Sequence, residues 1–407
     1  MSPFRGPGCR PLPTVPPVVD GGPDDNALEL RVLDGVREIA PEVWDGLLGP
    51  DPVPFLRHAF LASLEQAGTL EVETGWVPRI PVLERAGRIV AAVPAYIKLH
   101  SFGEFVFDHA WAHFAERAGI RYYPKLLVGV PFTPVTGPRF LTAPGEDRGA
   151  LVPALARALL EIASAFECSG VHVNFTTEEE IAHLEQAAYL VRHGIPYHWH
   201  RAGAASSDDY LDRFNSKRRN QLKREVRAPV EQGITIRNVR RDELEGKAQL
   251  AFRLYLSTVE KFVWGRQYLN REVFDLWVDR MRDSMELMLA TRDADGEVVA
   301  GAVNFSGAGR LYGRYWGCFE EVKHLHFNVC YYSGIRECIE RGLDVFEPGA
   351  GGDHKLVRAF APTLMYSGHW LAHPGFRDAV ARHLEQERRA VDHEQAAMKA
   401  AMGAKRG

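Results

Sequence analysis

The segment FEPGAGGDHKLVRAF (346–360) gathers the side chains best suited to chemistry. Glu347 precedes a small-residue loop, Gly349–Gly352, and Asp353, His354, Lys355 and Arg358 follow it. Glycines let backbone approach a ligand closely. A histidine titrates near pH 7, so His354, with Glu347 nearby, is a candidate base. Gly351, Gly352 and Lys355 are candidate ligand contacts. Arg358 suits a carboxylate or phosphate, or an internal ion pair. His324 and His326 straddle one residue, but no third ligand stands at metal spacing. No metal is expected, and His326 reads as a substrate-facing catalytic candidate, or as a packed or solvent-exposed residue. The run from Arg213 to Arg227 holds Lys217, Arg218, Arg219, Lys223 and Arg224 as well. Such a cluster can grip phosphate or form a solvated helix face. Lys261, Trp264, Arg266 and Tyr268 set aromatic rings beside cations, as a ligand wall would, or pin a loop to the core. In the first half, His109, Trp111, His113 and residues 133–139 read as an irregular loop with core aromatics, or as the lining of a cleft. His198 and His200 alternate on one strand face and read as an exposed edge.

The elements that position these residues follow from periodicity. Residues 28–35 alternate like a strand, and two helical stretches follow. WVPRIPVLERAGRIVAAVPAYIKLH reads as two strands around Ala86 and Gly87, and LLVGVPFTPVTGPRFL as a strand interrupted by Pro131 and Pro134. A helix, the buried strand GVHVNF and a second helix capped by Thr176 or Thr177 come next. The second half repeats that order: GITIRNVR, two helices, three strands with turns at Asp293–Gly296 and Ser306–Gly309, a helix ending at Gly342, and the strand DVFEPG. Between the halves lies the basic helix, with Ser207 as its expected cap. The last stretch reads as a long charged helix, an exposed appendage. The expected organisation is a leader (1–27), a first unit (28–203), a second unit led by the basic helix (204–375) and a helical tail (376–407).

With 407 residues, 46% hydrophobic and 25% charged, the chain is an ordinary globular one. Its formal charge of −4 argues against a protein dedicated to coating nucleic acid. No stretch approaches the apolar length of a bilayer span, and the Pro/Gly-rich start lacks a secretory apolar core. A cytoplasmic protein is expected. The five cysteines are scattered and form no CxxC pair, so neither a disulfide framework nor a zinc site is supported.

Several motifs carry a resemblance. The element order resembles the GNAT fold, and its doubling resembles the Fem-type aminoacyl transferases. Lys217-Arg218-Arg219-Asn220 is similar to the Fem segment preceding the second unit, and TVEKFVWGRQYLNREVF (258–274) to the Fem helix, loop and aromatic element. VVAGAVNF with YGRYWGCFEEVKHLHFNVCYYSGI is similar to the Fem strand pair and following helix. FEPGAGGDHKLVRAF resembles predicted bacterial N-acyltransferases of the FemAB-like, peptidoglycan biosynthesis/recognition-type group, to which bacterial ceramide synthases also belong. The resemblance implies an α+β fold of two tandem GNAT-like (acyl-CoA N-acyltransferase) units. It departs from GNAT enzymes where they carry a Gly-rich pyrophosphate loop on a helix N-terminus. Here that place reads HLHFNVCYYSGI, which implies a different donor or a different grip.

Acyl transfer to an amine requires a deprotonated nucleophile, a stabilised oxyanion and a protonated leaving group. A splayed strand supplies free backbone N–H groups, and LYGRYWG (311–317), with Arg314, Tyr315 and Trp316, is the candidate. The expected function is therefore an N-acyltransferase using acyl-CoA or an acyl-carrier thioester as co-substrate, with no permanently bound cofactor. The resemblance implies a small-molecule or lipid amine, such as a sphingoid base, as acceptor, and lipid work brings peripheral contact with the inner membrane face. An acyl carrier protein is a candidate partner. The alternatives are a Fem-like transferase that adds an amino acid from charged tRNA to a peptidoglycan precursor, with the basic helix holding tRNA, and an inactive ligand-binding module.

Overall fold

The computed structural model describes residues 27–261, 265–349 and 352–404. The leader up to residue 26, Trp264 and Gly351 lie outside the described residues. Three sheets build the molecule. A four-stranded antiparallel sheet runs Leu28–Leu33, Ile80–Arg85, Arg88–Ala92, Leu141–Thr142. A six-stranded sheet runs Trp76–Pro78, Ala95–Lys98, Lys125–Val128, Gly170–Thr176, Met365–Leu371, Leu190–Gly194. A seven-stranded sheet runs Ile234–Arg240, Met285–Arg292, Val298–Gly307, Arg310–Cys318, Val345–Glu347, Tyr197–His200, Ala361–Pro362. Each half has one parallel pair: Lys125–Val128 with Gly170–Thr176, and Arg310–Cys318 with Val345–Glu347.

Local chemistry explains the elements. Asp147 accepts from the Ala150 N–H and starts the helix Arg148–Ala165, which buries Leu151, Leu155, Leu159 and Ile162 at helical spacing. Thr177 caps the helix Glu178–Gln186 in the same way. Asn215, rather than Ser207, caps the basic helix Ser216–Glu231. Ser206 caps a separate short helix, Ser207–Leu211, through a capping box with Asp209.

The structure corrects several expectations. The stretch expected as two strands forms four, Trp76–Pro78, Ile80–Arg85, Arg88–Ala92 and Ala95–Lys98. Breaks at Arg79 and at Val93–Pro94 carry the chain between two sheets, since Pro94 has no N–H for a ladder. The segment 125–140 is a strand only over Lys125–Val128. The tail helix Pro374–Ala404 is no appendage. It buries Phe376, Val380 and Leu384 against Trp111 and Tyr122, and Glu387 takes both Arg192 Nε (3.0 Å) and Nη2 (2.8 Å).

The halves exchange strands. Tyr197–His200 pairs with Val345–Glu347 and Ala361–Pro362 in the second half's sheet, while Met365–Leu371 lies between Gly170–Thr176 and Leu190–Gly194 in the first half's. Sheet membership thus crosses the 203/204 boundary in both directions. Strand alternation reveals a pleated element but not its partner, so sequence order alone does not disclose the exchange. The halves also share a core. Phe60 stacks on Trp277 at 4.7 Å, and Phe55 meets Phe305 and Tyr312, each at 5.2 Å.

At the exchanged strand, His369 Nδ1 lies 2.8 Å from His172 Nδ1, and both rings are buried. Burial, then the charge of Lys125, holds His172 down at about 3. Burial, then the His172 neighbour, pushes His369 well below the ordinary imidazole range. Both are neutral at pH 7, so one Nδ1 donates and the other accepts. A histidine depressed on folding stabilises fully above its unfolded pKa, about 6.5, and that stabilisation is lost as pH falls toward the folded value. The unfolding temperature should therefore drop as pH falls from 6.5 toward 3.5. The variant H172Q/H369Q should show a shallower drop by circular dichroism, and a parallel drop would refute the assignment.

Candidate active site

The strand Arg310–Cys318 is paired along its length with Val298–Gly307, through a register shift between Val303 and Asn304. On its other side Val345–Glu347 pairs only with Arg310, Leu311 and Tyr312. Beyond Tyr312 the two parallel strands part, with Pro348 turning the chain away against Gly313. Among the described residues, that edge has no partner strand from Gly313 to Trp316, which is the splay expected of LYGRYWG. Glu347 sits at the fork, opposite Tyr312.

A cleft of about 280 Å³ fills this fork. Phe105, Phe107, Pro134 and Phe175 of the first half wall one side, and Gly313, Arg314, Glu347 and Pro348 the other. Arg314 bridges the halves by donating to the Phe132 carbonyl at 2.7 Å. Tyr268 also bridges them, stacked on Phe132 at 5.2 Å. The segment 133–139 thus contributes to the cleft through Pro134 and Val135.

Glu347 is buried and accepts from Arg310 Nη1 at 2.8 Å. Its other oxygen lies 3.6 Å from His198 Nε2. Burial raises the Glu347 carboxyl, and the Arg310 charge only partly offsets it. His198, expected on an exposed edge, is instead buried in an interior strand. Burial, then Arg310, lowers it to about 3, so it is neutral. Lys355 is also buried. Its Nζ donates to the Gly349 carbonyl at 2.6 Å, and no carboxylate pairs with it among the described residues. Burial lowers this ammonium to about 8. Its charge is felt at both His198 and His326.

A second cluster lies behind the loop. The expected single helix there is three segments: Leu325–Phe327, a π-helical Asn328–Tyr332, and Ser333–Arg341, ending at Gly342 as expected. Such wide turns often mark functional positions. His326 packs against Trp316 (5.2 Å), Tyr331 (5.4 Å) and His354 (6.3 Å). Burial, then the His354 charge, lowers His326 to about 4. The Tyr331 hydroxyl is 2.8 Å from His354 Nε2. Gly352 has φ +97°, and a methyl there would overlap the His354 ring, so glycine is needed to seat that imidazole.

The structure therefore divides the sequence-derived candidates. Glu347, Arg314 and Lys355 meet at or beside the cleft. His326, His354 and Trp316 form the adjoining aromatic cluster. Arg358 is engaged within the chain: Nη2 binds Glu225 at 2.7 Å, Nε the Tyr332 hydroxyl at 2.8 Å and Nη1 the His354 carbonyl at 2.9 Å. Tyr315 packs in the core against Tyr255 and Phe274. Lys261 is exposed at the end of the helix Ala248–Val259. Arg219 secures the entry to the basic helix through the Leu211 and Phe214 carbonyls. Arg218 donates to Val357, and Lys217 is exposed. Sequence reasoning missed Arg310, Glu225 and the role of His198, whose partners are distant in the chain. Gly317 fixes the back of the splayed strand, because a methyl there would overlap the Leu254 backbone. Gly317→Ala should cost about 1–3 kcal/mol or more in urea denaturation, and an unchanged midpoint would contradict this packing.

The molecule is thus a tandem of two GNAT-like α+β units joined by reciprocal strand exchange and ending in a helix. The chain belongs to the FemAB-like family, described as peptidoglycan biosynthesis/recognition, whose model matches residues 35–406. Among solved structures it is similar to FemX, with a TM-score of 0.50 and 13% identity over 84% of this chain and 98% of that one. It is also similar to the C-terminal (DUF2156) domain of a putative lysylphosphatidylglycerol synthetase from Agrobacterium fabrum, with a TM-score of 0.53 and 11% identity over 86% and 96% of the two chains. A tandem GNAT protein from the clavulanic acid biosynthesis pathway matches with a TM-score of 0.43 and 11% identity over 86% and 99%. No curated protein matches in sequence. At these identities the likeness to FemX and to the synthetase domain is one of fold. Among the described residues, no helix is long and apolar enough to cross a membrane, and no group of three or more His, Cys, Asp or Glu is placed to hold a metal.

Proposed function

We propose that the protein is an N-acyltransferase that moves an acyl group from a thioester, acyl-CoA or an acyl carrier, onto a primary amine, with a lipid or sphingoid-base amine as acceptor. The observation that carries this reading is the opened parallel pair with a buried carboxylate at its fork, walled by both halves. Glu347 takes the proton from the incoming ammonium, and its raised pKa brings it closer to the amine's range. The freed nitrogen attacks the thioester carbonyl. The new C–N bond forms as the C–S bond breaks, and the proton that the nitrogen sheds on becoming an amide goes to the departing thiolate, which leaves as the thiol. Backbone N–H groups on the unpartnered edge 313–316, with the Lys355 ammonium nearby, supply positive potential for the oxyanion. Phe105, Phe107, Pro134 and Phe175 offer an apolar wall to an acyl chain. Arg314, held in place by Phe132, presents a cation to a phosphate-bearing donor. Among the described residues, no cysteine lines the cleft. Burial raises both Cys338 and Cys330, which makes them poor thiolates.

The test is donor use. Purified protein incubated with an acyl-CoA series, or with charged tRNA, and candidate amines is assayed for amide by mass spectrometry. Amide from the acyl thioester supports the reading. Product from aminoacyl-tRNA alone overturns it, as does tight donor binding with no product from any donor.

A further inference from the structure

The basic helix Ser216–Glu231 buries only Leu222, Glu225 and Pro229. Glu225 is committed to Arg358 and Tyr332, and the Asn328 side chain holds the helix by its Glu225 carbonyl at 2.8 Å. The helix is therefore fixed along one face, and the rest points outward. That outward surface is unusual in two ways. Lys217, Lys223, Arg224 and Arg227 form no ion pair and donate no side-chain hydrogen bond among the described residues, although ion pairs elsewhere in the chain are numerous. Beside them, Val226 and Val230 stand one turn apart with exposures of 43% and 71%. A helix that needed only a solvated face would place polar residues there, because exposed aliphatic side chains gain nothing in water.

The valines border a groove of about 490 Å³ between this helix and the strand Ile234–Arg240, lined also by Lys223, Arg227, Pro229 and Arg336, with one carboxylate, Asp208. Unpaired cations interleaved with exposed aliphatic residues on a fixed helix match an anionic bilayer surface: phosphates meet the cations, and the valines enter the boundary of the acyl chains. A single-stranded nucleic acid would instead favour exposed aromatic rings for base stacking, and the helix has none. We propose that this helix is a docking surface for an anionic phospholipid membrane. None of the residues lining this groove lines the inter-half cleft. The proposal does not depend on the transfer reaction.

The test is co-sedimentation of the full chain with vesicles of phosphatidylcholine containing about one third phosphatidylglycerol, and with pure phosphatidylcholine vesicles, at low and high salt. Binding is expected to the anionic vesicles only and to weaken with salt. At about fivefold per cation near the surface, K223Q/R224Q/R227Q should lower partitioning about 100-fold. V226S/V230S should weaken it several-fold at unchanged charge. These side chains make no ion pair, so both variants should melt as the native chain does. If the charge variant does not fold, the valine variant carries the test. The proposal is overturned if anionic vesicles are not bound, if neutral vesicles bind equally, or if both folded variants bind as the native chain does. It is also overturned if single-stranded RNA binding, but not vesicle binding, is lost in the charge variant.

Discussion

Replacing Glu347 with Gln should lower the rate of amide formation by about 10²–10⁴-fold, the range a positioned base contributes. The unfolding temperature should stay close to that of the native chain, because Arg310 is partly exposed and water can replace its partner. The effect should fall on kcat rather than KM, since Gln keeps the size and hydrogen-bonding reach of the side chain at the fork. The native pH–rate profile should show an acid limb above pH 4.5, because the base works only when ionised and burial raises its pKa. That limb should vanish in Glu347→Gln. A variant that keeps full rate, or keeps the limb, would move the base elsewhere. Lys355 is then the next group to examine, since it is buried without a carboxylate partner and held at about 8.

Arg358→Met should destabilise the protein by about 3–5 kcal/mol, because it leaves the Glu225 carboxylate buried and uncompensated. Both side chains are almost fully enclosed. Burial alone would raise Glu225, but the Tyr332 hydrogen bond and the Arg358 charge hold it below its ordinary value, so it is a carboxylate at neutral pH. The double variant Glu225→Gln/Arg358→Met should recover much of the loss. Urea denaturation of the two single variants and the double measures the coupling directly. Additive losses would show that the two residues act independently. The guanidinium also lies 3.6 Å over the Phe327 ring, so the single variant should loosen the π-helical turn that carries Tyr331.

Much of the fold was legible where local chemistry decides it. The helix Arg148–Ala165 announces itself through four leucine or isoleucine residues at helical spacing, and the helix end at Gly342 through a glycine free to take the φ of 70° found there. What was not legible depends on partners far along the chain. His198 looked like an edge residue because alternation cannot say which strands flank it, and its carboxylate neighbour comes about 150 residues later. Arg358 looked available to a ligand because nothing near it in sequence reveals Glu225. The tail looked exposed because Phe376, Val380 and Leu384 are few among many charges, yet those three suffice once Trp111 and Tyr122 are placed beneath them. Within the site, Glu347, Lys355 and the opened strand were recognisable from residue type and motif. Their division from His326 and His354 into two neighbouring groups emerged only in three dimensions.

The exchanged strands also set the order of events at the ribosome. The first half's six-stranded sheet keeps a gap beside Gly170–Thr176 until Met365–Leu371 has left the exit tunnel. At 5–20 residues per second that wait lasts roughly tens of seconds. Throughout it, two strand edges of the nascent chain stay unpaired and open to wrong partners. Neither half separated at residue 203 can close its own sheet. Two fragments expressed together should therefore recover solubility that neither shows alone, and maturation of this chain becomes a single late step rather than two successive ones.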